Sequence, residues 1–175
     1  MLERIWSGWR SSYVTAAPVQ AGADEPGSGS VFTRLLQSGA SDTDTHIVHR
    51  GETCFVLVNL FPYTTGHVLV VPYREVADLD GLTGDETTDI WATVTESVRV
   101  VRSVYAPDGV NVGLNLGRPA GGSVPDHLHV HVVPRWTGDS NFMSAISNTQ
   151  TLPEALVDTT AKLRAGWVTA ADQRQ

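Results

Sequence analysis

The stretch Asp126-His127-Leu128-His129-Val130-His131-Val132-Val133-Pro134-Arg135-Trp136 contains three of the six histidines of the chain, at alternate positions. In an extended strand, successive side chains point to opposite faces, so alternate side chains share a face and lie about 6.7 Å apart. The pattern therefore predicts a strand with His127, His129 and His131 on one face and an apolar core on the other.

Three imidazoles in a row are costly as mere packing, because each ring brings two nitrogens that need partners once buried. Two functions are consistent with this histidine pattern. Histidines at alternate strand positions can bind zinc, and a central histidine can act as a nucleophile while its neighbours hold an anion. The upstream loop at 117–123 is rich in glycine and ends in a hydroxyl at Ser123. Its backbone N–H groups can approach a phosphate closely, which favours phosphate chemistry.

The remaining periodicity predicts an α+β fold, with an antiparallel sheet of about five strands, one long helix and a C-terminal helix. We expect the sheet to be covered on one face. Strands are predicted at 46–49, 54–60, 67–71, 110–116 and 127–133. Helices are predicted from the cap Ser30 to Gln37, from the capping box Thr83-Gly84-Asp85-Glu86 to Tyr105, and from Thr151 onward with Glu154 in the first turn.

The length of 175 residues suits one domain with terminal extensions. We predict an N-terminal helix and flexible arm at 1–29 and the main domain at 30–148. A C-terminal helix at 149–175 is expected to pack on the domain or on a partner subunit.

Composition excludes two classes of partner. With 12 basic and 19 acidic side chains the formal charge is −7, and no run of Lys and Arg appears, so no nucleic-acid partner is expected. The apolar stretches are too short for a membrane span, so no membrane partner is expected either. The lone Cys54 lies in an apolar run and is predicted to be a buried thiol, in keeping with a cytoplasmic protein.

The motif His127-x-His129-x-His131 resembles the signature of the histidine triad (HIT) superfamily of nucleotide hydrolases and transferases. The upstream run from Asn59 through Pro62 to Gly66-His67 is similar to the other signature of that superfamily. The resemblance implies a HIT-like fold. Within the superfamily, the segments at 111–117, 120–123 and 134–136 are most similar to actinobacterial diadenosine tetraphosphate phosphorylases.

This resemblance implies an enzyme with a nucleotidyl-histidine intermediate. His129 would attack the α-phosphorus, the carbonyl of His127 would accept the other ring N–H of His129, and His131 would contact phosphate oxygens. The substrate-binding positions would include Asn59 for the ribose and, for phosphate, Asn115, Gly122 and Ser123. Two further residues are predicted to bind substrate from their places in the chain, namely His67 on the floor of the site and Trp136 as a stacking or channel-closing indole.

One departure from the family pattern concerns the reaction. Many family hydrolases carry Gln where this chain has Gly122, and one residue is added before His127. The missing amide leaves room for inorganic phosphate as the second acceptor, so we predict phosphorolysis of diadenosine tetraphosphate to ADP and ATP. The alternatives are hydrolysis of dinucleoside polyphosphates or nucleoside phosphoramidates, or a non-catalytic protein that binds nucleotide or metal.

A second departure concerns metals. Several family members carry Cys-x-x-Cys near a short N-terminal helix, where this chain reads Ser30-Val31-Phe32-Thr33. Without thiolates we expect no structural metal and no tightly bound cofactor, although Mg²⁺ commonly accompanies polyphosphate substrates. The resemblance also implies a homodimer or homotetramer.

Overall fold

The computed structural model describes residues 29–139 and 154–172. The predicted N-terminal helix and the predicted cap Thr151 lie outside the described residues. The helices are α1 (Val31–Gln37), α2 (Gly84–Tyr105) and α3 (Leu156–Asp172). The strands are β1 (Ile47–Arg50), β2 (Cys54–Val58), β3 (Val68–Pro72), β4 (Gly109–Leu114) and β5 (Val130–Arg135).

The five strands form one antiparallel sheet in the order β1-β2-β3-β5-β4. The first three make a meander, and β5 lies between β3 and β4, with His131 opposite Leu69 on one side and Gly113 on the other. This arrangement confirms the predicted α+β class and the five-stranded antiparallel sheet. It also places the histidine strand in the interior of the sheet, where a neighbour on each side holds its backbone.

The prediction that the sheet is covered on one face is wrong at its centre. Every residue of β2 and β3 is buried, whichever face it points to. One face packs against α2 and α3, and the other packs against α1 through Phe32, which joins Phe55, Leu57 and Leu69 in a second apolar cluster. Continuous apolar runs such as these strands need cover on both faces. We call the second face the α1 face.

The predicted capping box begins α2 as expected. Thr83 Oγ1 accepts from the N–H of Glu86, and Glu86 Oε2 accepts from the N–H of Thr83. Both carboxylate oxygens of Glu86 also accept from Arg74, at 2.9 and 2.6 Å. The Arg74 guanidinium lowers the pKa of Glu86 to about 2. This ion pair fastens the segment after β3 to the first turn of α2.

The predicted start of α3 is wrong. Glu154 lies two residues before the helix rather than in its first turn, and it accepts hydrogen bonds from Tyr105 and Thr159 and pairs with Lys162. All three donors are side chains, one on α2 and two on α3, so Glu154 links these two helices from outside α3. The predicted apolar stripe is confirmed at Thr160, Leu163 and Trp167, which are buried.

The described helix α3 packs against α2 and the sheet of the same chain, and Trp167 stacks on His49 with ring centroids 4.0 Å apart. The domain boundaries at 29 and 149 stay predictions.

Cys54 is buried as predicted, and burial raises the pKa of its thiol to about 12. Neither described part of the chain contains a helix with the length and hydropathy of a membrane span.

We expect the substitution Glu86→Gln to lower the free energy of unfolding at pH 7 by about 1–3 kcal/mol, because it removes a charged pair at a buried cap. The folded-state pKa of Glu86 lies below the unfolded one, so its contribution is present above about pH 4.5 and is lost as the pH falls toward 2. Urea unfolding from pH 7 to pH 2.5 measures this. The two proteins should converge in acid, whereas a pH-independent difference would contradict the assignment. Asp85→Asn, at an exposed first-turn position, is the matched control.

Gly166 in α3 allows a close approach to α2. A Cβ added there would lie 2.7 Å from Val104 Cγ2 and 3.0 Å from Val100 Cγ1. Gly→Ala in a helix normally stabilises by about 0.5–1 kcal/mol, but this overpacking should cost about 1–3 kcal/mol, so Gly166→Ala should lower the Tm. Gly84→Ala at the start of α2 meets nothing within 4 Å and should leave the Tm unchanged or higher. Equal Tm changes in the two variants would refute the close approach.

Candidate active site

The histidine strand starts later than the sequence predicted. The strand β5 begins at Val130, so His127 and His129 precede it, and only His131 is a strand residue. The alternation nevertheless holds, because Leu128, Val130 and Val132 all join the core on the helix side of the sheet. The rings of His129 and His131 lie with centroids 5.0 Å apart, closer than regular strand spacing would give.

A hydrogen bond to a carbonyl fixes the proton position of His129. Its Nδ1 lies 2.8 Å from the carbonyl oxygen of His127, and a carbonyl can only accept, so Nδ1 carries the proton. The lone pair of the neutral ring is therefore on Nε2. Burial lowers the pKa of His129, which keeps the ring neutral at pH 7. A neutral imidazole with a free lone pair is a nucleophile that needs no prior deprotonation.

His127 is held in the opposite tautomer. Its Nε2 lies 2.9 Å from the carbonyl oxygen of Pro72 and must donate to it. Its Nδ1 then accepts from the hydroxyl of Ser30, at 2.6 Å. The ring is fully buried, and burial lowers its pKa. His127 therefore acts on the site through its backbone carbonyl, as a positioning residue, and its ring has no open path to a substrate.

His67 fixes the third ring of the triad. The N–H of Tyr63 donates to His67 Nδ1 at 3.0 Å, so the proton of this neutral ring is on Nε2. His67 Nε2 lies 3.0 Å from His131 Nδ1 and donates to it. His131 consequently carries its own proton on Nε2. Burial, reinforced by the neighbouring histidines, lowers the pKa of His67 to about 3 and that of His131 to about 4, so both rings are neutral.

The Nε2 atom of His131 is buried and, among the described residues, has no hydrogen-bond partner. A buried N–H donor without an acceptor costs about 1–3 kcal/mol, and such an atom in a cluster of histidines indicates a place for a ligand acceptor. The structure thus sets two complementary atoms on neighbouring rings. His129 offers a lone pair on Nε2, and His131 offers a donor on Nε2.

Asn59 and His67 lie on the α1 face with the triad. Asn59 Oδ1 accepts from the N–H of Phe61 at 3.1 Å, and its Nδ2 lies 3.3 Å from His67 Nδ1. The amide of Asn59 therefore supports the loop before β3. The half-exposed ring of Tyr63 stacks parallel to His131 with centroids 5.9 Å apart. Tyr63 was not among the residues predicted to bind substrate, and its place between Pro62 and the Gly66-His67 pair before β3 was the signal in the sequence.

Asn115 follows directly after β4, which ends at Leu114 opposite Val130. If the antiparallel register continued by one residue, Asn115 would lie opposite His129. Gly122 is buried, and a Cβ on it would lie 3.1 Å from the carbonyl oxygens of Asn115 and Gly117. The loop's own carbonyls therefore crowd the Cβ position of Gly122, and the room for phosphate beyond that position stays a prediction. Ser123 is exposed.

Trp136 is not brought to the triad. It follows the last residue of β5, five positions from His131, and an extended chain of that length spans about 17 Å. Its backbone N–H donates to Asp139 Oδ2. Its predicted contact with a base stays a prediction.

The hydrogen bonds also bear on the metal-binding alternative. His127 uses both ring nitrogens, one on the Pro72 carbonyl and one on Ser30, so the three triad rings present no common ligand set. Within residues 29–139 and 154–172, no group of three or more His, Cys, Asp or Glu side chains converges in the manner of a metal site. The geometry instead supports a nucleophile next to a hydrogen-bond donor.

Comparison with known proteins agrees with this geometry. The chain is 42% identical over 167 residues to the AP-4-A phosphorylase of Mycobacterium tuberculosis (strain CDC 1551 / Oshkosh), covering 95% of this chain and 85% of that relative. It is 38% identical over 95 residues to the asymmetrical bis(5'-nucleosyl)-tetraphosphatase of Schizosaccharomyces pombe, covering 54% of this chain and 52% of that relative.

A solved structure with the same fold is the Zn-bound histidine triad family protein from Mycobacterium smegmatis. It superposes with a TM-score of 0.66 at 26% identity, over 83% of this chain and 97% of that one. The family model described as HIT domain matches residues 40–138. That match spans more than half of the chain and includes the whole histidine cluster, and the chain therefore belongs to the HIT domain family.

Proposed function

We propose that this protein is a nucleotidyltransferase that phosphorolyses dinucleoside polyphosphates, converting diadenosine tetraphosphate and phosphate to ADP and ATP. The observation that carries the proposal is the hydrogen bond from His129 Nδ1 to the His127 carbonyl. It leaves the lone pair of a buried neutral imidazole on Nε2. No other protein group has to remove a proton before this atom attacks phosphorus.

In the first step, the Nε2 lone pair of His129 forms a bond to the α-phosphorus, and the bond from that phosphorus to the bridging oxygen breaks. The electron pair leaves on the oxygen of ATP. The ring keeps its Nδ1 proton and becomes a positively charged nucleotidyl-imidazole, which the His127 carbonyl stabilises by accepting that proton's hydrogen bond. Charge develops on the departing oxygen, so a donor beside it lowers the barrier.

His131 supplies that donor. Its Nε2–H is oriented by His67 and lies unpaired in the cluster, so a phosphate oxygen can accept it without displacing an existing bond. A fixed donor of this kind costs no reorganisation during reaction. In the second step, an oxygen of inorganic phosphate attacks the same phosphorus, ADP forms, and the electron pair returns to His129 Nε2.

Two observations support phosphate rather than water as the second acceptor. The relative that matches over nearly the whole chain is a phosphorylase, at 42% identity. In addition, Gly122 carries no side chain that could hold a water molecule at the loop. Hydrolysis is the second candidate, because the similar Schizosaccharomyces pombe relative is a tetraphosphatase. The two reactions share the first step and differ only in the acceptor.

The remaining substrate contacts are proposals of the same kind. Asn115 and Ser123, with the backbone of Gly122, would bind phosphate oxygens, and Asn59 would bind a ribose hydroxyl. Mg²⁺ would accompany the polyphosphate as part of the substrate rather than as a resident metal. A homodimer or homotetramer stays a prediction.

The reaction is tested by incubating the full chain with diadenosine tetraphosphate, with and without phosphate, and separating the products. We expect ADP and ATP only when phosphate is present. His129→Ala should lower kcat by at least about 10³-fold, since it removes the nucleophile, while nucleotide binding survives. Equal turnover without phosphate, giving AMP and ATP, would establish the hydrolase instead. Glu52→Ala, at an exposed position, is the control for handling and folding.

The rate of the first step should fall at a lower pH than expected for an exposed histidine. Burial lowers the pKa of His129 below its ordinary 6.5, so the ring stays neutral to a lower pH than an exposed histidine would, and protonation removes the lone pair only below that ordinary value. Single-turnover formation of the nucleotidyl adduct without phosphate measures this, because the internal phosphates of the substrate stay ionised throughout. The acid limb should have its midpoint below 6.5. A midpoint at or above that value would contradict a buried, neutral nucleophile.

A further inference from the structure

A cluster of four polar side chains joins the buried ring of His127 to the exposed carboxylate of Glu75, and none of these side chains has a part in the reaction described above. It consists of Ser30, Thr33, Glu75 and His127. Ser30 Oγ lies 2.6 Å from His127 Nδ1 and 3.2 Å from Thr33 Oγ1. Glu75 Oε2 lies 2.8 Å from the backbone N of Ser30 and 2.6 Å from Thr33 Oγ1. We call these four residues the Glu75 cluster.

Two acceptors, the carbonyl of Pro72 and the carboxylate of Glu75, set the directions of the hydrogen bonds in the Glu75 cluster. That carbonyl takes the Nε2 proton of His127, so Ser30 must donate its hydroxyl proton to His127 Nδ1. The Ser30 oxygen accepts from the N–H of Thr33 as the cap of α1. Both bonds to Glu75 run from donors to one carboxylate oxygen, Oε2, and they lower the pKa of Glu75. The carboxylate is therefore ionised and purely an acceptor.

The Glu75 cluster controls where α1 lies. The helix has seven residues, and a helix of that length is not stable without outside support. Glu75 binds its cap residue and its first turn, 45 and 42 positions away in the chain. The preceding Gly29 has φ +72°, and a Cβ there would lie 2.9 Å from Thr33 Cγ2 and 3.1 Å from Glu75 Oε2. Only a residue without a side chain fits between the helix and the carboxylate.

The position of α1 in turn fixes two of the triad rings. Phe32 is buried in the first turn, with its ring centroid 5.4 Å from that of His127 and 5.4 Å from that of His129. The hydroxyl of Ser30, the cap residue of α1, donates a hydrogen bond to the ring of His127. A shift of α1 would therefore move the ring packed on the nucleophile and also release the residue whose carbonyl sets the nucleophile's tautomer.

We propose that Glu75 is a positioning residue that acts through Ser30 and Thr33 to hold α1 against His127, and thereby aims His129 Nε2 at the phosphorus. The proposal rests on the proposed function for its kinetic consequence. Two members of the Glu75 cluster, Ser30 and Thr33, are the first and last residues of the turn Ser30-Val31-Phe32-Thr33. In this chain, hydrogen bonds to a carboxylate fasten that turn to the triad.

The test compares Glu75→Ala with Glu75→Gln in the full chain. The alanine variant loses the acceptor, whereas glutamine keeps an oxygen that can accept both bonds. We expect Glu75→Ala to lower kcat by about 10- to 100-fold, since misplacement of a reacting group by about 1 Å costs rates of this order. The KM for diadenosine tetraphosphate should change less than about twofold, and Glu75→Gln should restore kcat to within about threefold of the original chain. Glu52→Ala should change neither constant.

A second measurement separates this proposal from the proposed reaction and from misfolding. Imidazole ¹⁵N shifts report the tautomer of His127 in each folded variant, without turnover. Glu75→Ala and Ser30→Ala should broaden or shift the His127 resonances, and Glu75→Gln should leave them near those of the original chain. If the original chain lacks phosphorolysis but these shifts occur, the proposed function fails and the positioning role stands. Unchanged kcat and unchanged shifts in folded Glu75→Ala, or a glutamine variant as impaired as alanine, would overturn the positioning role.

Discussion

One hydrogen bond, from His129 Nδ1 to the backbone carbonyl of His127, determines what this site can do. A neutral imidazole has one donor and one acceptor nitrogen, and the carbonyl can only accept. The bond therefore selects the tautomer whose lone pair faces away from the backbone. The other features of the site either hold His127 and His129 in place or supply a donor beside His129 Nε2.

Burial and sheet geometry make that tautomer persistent. The triad segment enters an interior strand, and its rings share the α1 face with Phe32 and the apolar residues of β2 and β3. Desolvation lowers the pKa of His67 to about 3 and of His131 to about 4, so a row of imidazoles can be packed without mutual charge repulsion. The chain has a formal charge of −7, so its overall field repels a polyanionic substrate. Attraction must then come from local N–H groups.

The parts of the fold that depend on local sequence were predictable. Alternation placed His127, His129 and His131 on one face, and the Thr83-Glu86 capping box gave the start of α2. The start of α3 was not predictable in this way, because Glu154 satisfies partners in both α2 and α3 from outside the helix. A capping pattern specifies which donors need an acceptor, but tertiary contacts decide which acceptor meets them.

The supporting contacts of the site could not be read from the sequence, because they join residues far apart in the chain. Ser30 was recognisable as a helix cap, but its bond to His127 spans 97 positions. Glu75 has no motif that marks it, and its two donors lie on α1. Gly122 was recognised as a departure from the family pattern, but the crowding of its Cβ position by the carbonyls of Asn115 and Gly117 depends on how the loop folds. Sequence patterns located the reacting groups. A local bond sets the tautomer of His129, and long-range hydrogen bonds set those of His127 and His131.

The most direct test of this account is the ¹⁵N NMR spectrum of the histidine rings in the unliganded chain at pH 7, with His129 assigned by substitution. The account predicts that His129 Nδ1 has the shift of a protonated nitrogen and that its Nε2 has the shift of an unprotonated one. An unprotonated Nδ1, or a ring protonated at both nitrogens at this pH, would contradict it.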